Sequence, residues 1–237
     1  MMATRRDVLI GAAVVGCSLV SRPALATTGR HESGRPHLLL GVDDPVATAF
    51  VDGVSAGLQI HGIGLASSST LLRHDLFDFT RLRARLSGLA GTSLICLVDN
   101  AGALMIDAVS RDLGTTTLSR INHSAEGRRH RALSAGEGEG IGGRFAGALD
   151  ACGGQGHIHE LPLSGGGEWS CRMGRTDLGG ETNWPMALGS VLAHLAAGIS
   201  PRHAPPERPG RPMENSPAQK GASYVSFVLK IEKGTLG

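Results

Sequence analysis

Two short apolar runs, each stopping at a pair of polar acid or amide side chains, constrain this chain most. His37-Leu38-Leu39-Leu40-Gly41-Val42 ends at Asp43-Asp44-Pro45, and Ser93 to Val98 ends at Asp99-Asn100. Runs of that length without polar alternation suit strands buried on both faces. The residues that follow are helix starters. A side-chain oxygen takes up one of the orphan backbone N–H groups, and proline fits the first helical position. Val46, Phe50, Val54 and Leu58 then share one helical stripe, as do Leu104, Met105, Ala108, Val109 and Leu113. Strands alternating with helices predict an α/β domain of three layers, with a mostly parallel sheet and helices on both faces.

The remaining elements follow by the same reasoning. Gln59 to Leu65 is a candidate strand, and Ser67-Ser68-Ser69-Thr70 a loop. Asp75 to Ala90 is a helix with Phe79, Leu82, Leu86 and Leu89 inward and Arg81, Arg83 and Arg85 on a solvated face. Its acids, Asp75 and Asp78, sit where the helix dipole favours them. Thr115–Ile121 and His157–Leu163 are expected strands, and Arg144–Cys152 and Trp184–Ile199 expected helices. Residues 134–143 are a Gly-rich loop, and Ser164–Asn183 is long and irregular. Pro201 to Ala222 holds six of the eleven prolines, so an extended or disordered segment is expected. Tyr224 to Ile231 alternates and is expected to be a last strand, antiparallel at an edge of the sheet.

The first twenty-six residues stand apart. Arg5-Arg6 precedes an apolar run, Val8 to Val15, and Ala24-Leu25-Ala26 supplies a small-residue exit. That combination is a secretory signal. Thr4-Arg5-Arg6-Asp7-Val8-Leu9 resembles the twin-arginine consensus. The resemblance implies passage of a folded chain through the Tat translocase, and a periplasmic product. Val14-Val15-Gly16-Cys17 resembles a lipoprotein cleavage box, and in that alternative the product stays tethered to a membrane through Cys17. Cleavage after Ala26 leaves a flexible N-terminus, 27–36, and a single α/β domain, 37–237. Beyond residue 26 no apolar run is long enough to cross a bilayer.

The whole chain carries a formal +2. Arg5, Arg6 and Arg22 against Asp7 account for it, so the mature part is near zero, which argues against nucleic acid. Aromatic residues are 3% of the chain, so the core must rest on Leu, Ile, Val and Ala. The stretch Ala47-Thr48-Ala49-Phe50-Val51-Asp52-Gly53-Val54-Ser55-Ala56-Gly57-Leu58, after a buried strand, looks like part of one lobe of a type I periplasmic solute-binding protein. This resemblance covers residues 37–121 and implies the lobe architecture.

Chemistry has three candidate places. Asp43, Asp44, Asp99 and Asn100 lie at strand ends, where open α/β sheets bind ligands. Facing carboxylates there could hold Mg²⁺ or Ca²⁺ or exchange protons, while helix capping alone accounts for Asp44 and Asn100. His157 and His159 share one face if extended, a spacing that suits Zn²⁺ or Cu²⁺ with a third ligand such as His123 or His130. Cys152 and Cys171 are the disulfide to try first, against a buried thiol at Cys152. Gly138-Glu139-Gly140-Ile141-Gly142-Gly143 fits G-x-G-x-x-G, but polar residues separate it from the preceding strand, and Glu139 would oppose a phosphate. It is therefore read as a flexible loop.

No nucleophile elbow, Walker loop or C-x-x-C is present, and no cofactor is required by the sequence. The expected function is that of a non-catalytic envelope accessory or partner-binding protein, such as a subunit of an exported redox enzyme. The alternatives are a small-ligand or metal-binding periplasmic module, and a metal-dependent hydrolase.

Overall fold

The computed structural model describes residues 35–124, 127–152, 154–165, 167–173, 184–199 and 222–232. The leader with Arg5, Arg6 and Cys17, nearly all of the N-terminal 27–36, and nearly all of the Pro-rich 201–222 lie outside them. In chain order the elements are β1 (His37–Leu40), α1 (Pro45–Gln59), β2 (Ser67–Thr70), α2 (Arg73–Leu76), α3 (Phe79–Ser87), β3 (Thr92–Val98), α4 (Asn100–Asp112), β4 (Thr116–Ser124), β5 (Arg129–Ser134), a 3-10 turn (Gly136–Gly138), α5 (Ile141–Ala151), β6 (Gly156–Pro162), β7 (Trp169–Met173), α6 (Trp184–Ala196) and β8 (Ala222–Ile231). The fold is α/β, with one eight-stranded sheet in the order β2-β1-β3-β8-β4-β5-β6-β7.

The sheet is mixed. β1 pairs in parallel with β2 and β3, and β5 with β6. The pairs β3–β8, β8–β4, β4–β5 and β6–β7 are antiparallel. β8 is antiparallel as expected, but its place is corrected: it lies between β3 and β4, not at an edge. Burial explains this. Val225, Phe227, Val228 and Leu229 are fully buried, and an edge would have left them half-covered.

Local capping chemistry builds the first half as the sequence predicts. Asp44 Oδ1 accepts from Ala47 N at 2.9 Å and starts α1, with Pro45 in the first turn. Asp99 Oδ1 accepts from Gly102 N at 2.7 Å and starts α4. The capping expected of Asn100 thus belongs to Asp99, and Asn100 is the first helical residue. The expected helix 75–90 divides, because Asp78 Oδ1 caps a new start at Arg81 N, 3.0 Å away.

The expected strand 59–65 is the end of α1 and a turn, and the polar Ser67–Thr70 is the strand instead. It forms an exposed sheet edge, which needs backbone pairing on one side and no apolar face. β5 and β7 were not foreseen. Both carry arginines on one face and break the apolar pattern that marks a strand.

Two helix layers flank the sheet unequally. α1, α5 and α6 pack on one face, against a core that takes in residues from every strand except β2. α2, α3 and α4 pack on the other, against β1, β3 and β8 only. α1 and α6 approach so closely that a Cβ on Gly53 would lie 2.1 Å from the Met186 carbonyl oxygen, and one on Gly189 2.3 Å from that of Phe50. No helix among the described residues is long and apolar enough to cross a membrane.

Candidate functional site

The strand directions bring the carboxyl ends of β1, β3 and β4 to one rim, together with the starts of β5, β6 and β8. β1 leads to α1 on one face and β3 to α4 on the other. Their boundary is therefore a topological switch point, the usual ligand crevice of an open α/β sheet. Asp44 and Asp99 line it. Both already have work: besides its cap, Asp44 accepts from the Tyr224 hydroxyl at 2.8 Å, and Asp99 lies 3.4 Å from Arg73. Burial, then the Asp44 hydrogen bond and charge, raise the Tyr224 pKa and keep it a donor. Asp43 and Asn100 are exposed at the same rim.

Beneath the rim lies a buried imidazole pair. His123 Nδ1 sits 2.8 Å from His130 Nδ1, and His123 Nε2 sits 3.0 Å from Ser226 Oγ. Trp184, at the start of α6, stacks on His123 at 4.5 Å and 22°. Two ring nitrogens can share a hydrogen bond only if one is N–H and the other a lone pair, so the two rings are never both charged, and burial favours the neutral form of each. Burial, followed by the His130 charge, holds His123 well below its ordinary value. Burial pushes His130 down to about 3; the Gly127 carbonyl pulls the other way, but short of hydrogen-bond geometry, and His130 Nε2 stays without a partner among the described residues. The pair is 0% and 2% exposed, so it braces the interior and does not meet solvent.

The glycine loop is also internal. Glu160, 2% exposed, accepts from Gly140 N at 2.9 Å, Gly142 N at 2.8 Å and the Ser134 hydroxyl at 2.5 Å. The start of α5 thus receives the chain's own carboxylate where a dinucleotide fold would place a phosphate. A Cβ on Gly142 would lie 2.8 Å from Glu160 Oε2, and one on Gly138 1.8 Å from the Leu118 carbonyl oxygen. The loop is therefore a fitted clamp, and its expected flexibility is corrected on that ground. Strand alternation shows that Glu160 faces inward, but no sequence signal says what it meets.

His157 and His159 do share one face of β6, as predicted. His123 and His130, named as third ligands, do not join them: His130 stands opposite Ile158 on the other face. His159 Nε2 pairs with Glu168, and no group of three metal-ligating side chains forms among the described residues. Cys152, at the end of α5, and Cys171, on β7, pack against the same core.

The outward face of β4–β7 is the feature that sequence reading missed. Register places Arg129, His157 and Arg172 in one row across β5, β6 and β7. Asn122, Arg131, His159 and Ser170 form the next row. Among the described residues α4 reaches this face only at β4, where Arg120 pairs with Asp107 at 3.6 Å, and no helix covers it over β5–β7, although His159 is 6% exposed there. Arg129, Arg131 and Arg172 are exposed, and none has an ion-pair partner among the described residues. His157 is held low by burial first, then by the charges of Arg172, His159 and Arg129. The signal available in the sequence was alternation in Arg129-His130-Arg131-Ala132 and in Cys171-Arg172-Met173. Comparison with protein families, with curated proteins and with solved structures finds no match to this chain.

Proposed function

We propose that this chain is a non-catalytic, partner-binding protein of the cell envelope, and that the bare face of β4–β7 is its working surface. The observation that carries the reading is the unequal coverage of the sheet. The second helix layer stops at β8, and the strands beyond it present polar and charged side chains with Leu161 40% exposed among them. The strongest buried polar groups, Glu160 and the His123–His130 pair, are spent on holding the interior together, which suits a scaffold for a surface.

Export after folding fits the same reading. The last strand made, β8, joins β3 to β4 in the middle of the sheet, so the sheet closes only when the whole chain is available. Replacing Arg5 and Arg6 by lysine should then retain the protein in the cytoplasm, seen by cell fractionation. Unchanged delivery would remove the twin-arginine assignment. A photo-crosslinking residue at Leu161 should give one dominant adduct in cells, while the same residue at Leu104, 66% exposed on α4, should give none. Equal labelling at both positions, or none at either, defeats the reading. Pairing of Cys152 with Cys171 belongs to this proposal too. An intact mass lower by two hydrogens before reduction than after would establish it.

A further inference from the structure

We propose that the bare face of β5–β7 binds an acidic polypeptide segment, whose carboxylates meet Arg129, Arg131 and Arg172. The inference rests on the partner-binding reading and adds the chemistry of the partner. Arg129 and Arg131 follow one another on the same face of β5, about 6.8 Å apart at ordinary strand rise. Arg172 lies in the Arg129 row two strands away, about 9.6 Å at ordinary strand spacing. An extended segment presents alternate side chains at that same rise, so acidic residues two apart match Arg129 and Arg131 in register. Guanidinium groups bind carboxylates as a planar fork, the strong form of this contact.

The need for an outside partner comes from the charge count. Arg81, Arg83 and Arg120 each meet an acid within the chain, Asp75 at 3.0 Å, Asp112 at 2.5 Å and Asp107 at 3.6 Å, whereas Arg129, Arg131 and Arg172 gather on one face with no ion-pair partner among the described residues. Among the described residues, Glu168 beside this face is engaged by His159. Taken together, the segments outside the described residues offer no surplus of acid. Residues 174–183 hold Arg175 against Asp177 and Glu181, and Glu126 adds one more acid between β4 and β5, but residues 200–221 hold Arg202, Arg208, Arg211 and Lys220 against Glu207 and Glu214. Sheet faces that bind single-stranded nucleic acid stack bases on aromatic rings, and neither row contains Phe, Tyr or Trp. Charge and register together favour a polypeptide.

The test uses the full chain and a fluorescent peptide of twelve glutamates, followed by polarisation at low salt. The peptide should bind, a twelve-glutamine peptide should not, and affinity should fall steeply as salt rises. The triple variant Arg129→Gln, Arg131→Gln, Arg172→Gln should lose at least tenfold in affinity with an unchanged circular-dichroism spectrum. The control Arg81→Gln, Arg83→Gln, which removes exposed but paired arginines, should change affinity less than twofold. The proposal is overturned if the acidic and neutral peptides bind alike, or if the control weakens binding as much as the triple variant. It is also overturned if an oligonucleotide or phosphatidylglycerol vesicles bind more tightly and show the arginine dependence instead. Persistent crosslinking at Leu161 in the triple variant would remove the acidic-segment inference alone, whereas loss of the Leu161 adduct in the wild type removes the reading beneath it.

Discussion

The two halves of the sheet solve burial differently. β1, β3 and β8 lie between two helix layers, and apart from Ser226 their buried positions are Leu, Ile, Val, Cys and Phe. β4 to β7 have one helix layer. Their covered face carries Ser119, His123, His130, Ser134 and Glu160, all buried, and beyond the Arg120–Asp107 contact of β4 with α4 their other face has no helix over it among the described residues. The first half is held mainly by apolar area, which tolerates small shifts and has no direction. The second is held in good part by hydrogen bonds, which are directional and costly to leave unmade. A half built that way is rigid where its network is complete, and it can present an uncovered face without a second core.

The comparison breaks most readily where the apolar half is thinned. Phe227, fully buried on β8, should cost about 3–5 kcal/mol as Phe227→Ala, measured by urea unfolding. A loss under about 1 kcal/mol would mean that the second helix layer contributes little. Next comes Glu160→Gln. It turns a carboxylate that accepts three hydrogen bonds into an amide that must place a donor against one of them, at about 2–4 kcal/mol. Hydrogen exchange in this variant should rise in β5–β7 first and leave β1 and β3 protected. Uniform loss of protection would deny that the halves are separately held.

Acid sharpens the contrast further. His130 has an ordinary unfolded value near 6.5 and a folded value of about 3, so below about pH 6.5 the unfolded state takes up protons that the folded state does not. Stability present above that pH is therefore lost as pH falls from about 6.5 toward 3, with His123 acting in the same direction. At pH 5 the His130 share alone is about 2 kcal/mol relative to pH 8. A double variant His123→Phe, His130→Leu should flatten this slope in urea titrations between pH 5 and 8, and an unchanged slope would place the acid sensitivity elsewhere. The smallest expected effect is at the rim. Asp99→Ala should cost about 1 kcal/mol by removing a cap, while Asp43→Ala, exposed and outside the caps, should stay within about 0.5 kcal/mol. Equal losses would mean that Asp43 has a role its position does not reveal.

Legibility followed the same divide. The strand–cap–helix units around Asp44 and Asp99 were readable because every signal lies within a few residues: an apolar run, a carboxylate, a helical stripe. The shared face of His157 and His159 was readable for the same reason, since strand alternation is local. Gln59–Leu65 misled because an apolar helix end and a strand look alike over seven residues. Ser67–Thr70 was missed because an exposed edge strand needs no apolar pattern. The basic face was missed because its arginines come from two strands, β5 and β7, separated in the chain by a helix, β6 and a loop, and only pairing through β6 puts them on one face.

The sequence by itself determined the α/β class, the cap at Asp44, the helical stripes and the alternation of the last strand. Those depend on backbone periodicity and on hydrogen bonds spanning three or four residues. Only the tertiary structure decided that β8 enters the centre of the sheet, that Glu160 fills the glycine loop, and that Arg129, Arg131 and Arg172 share an uncovered face. Each of these joins residues far apart in the chain. Their energy comes from burying or pairing groups that no local window contains, so nothing short of the folded arrangement could select them.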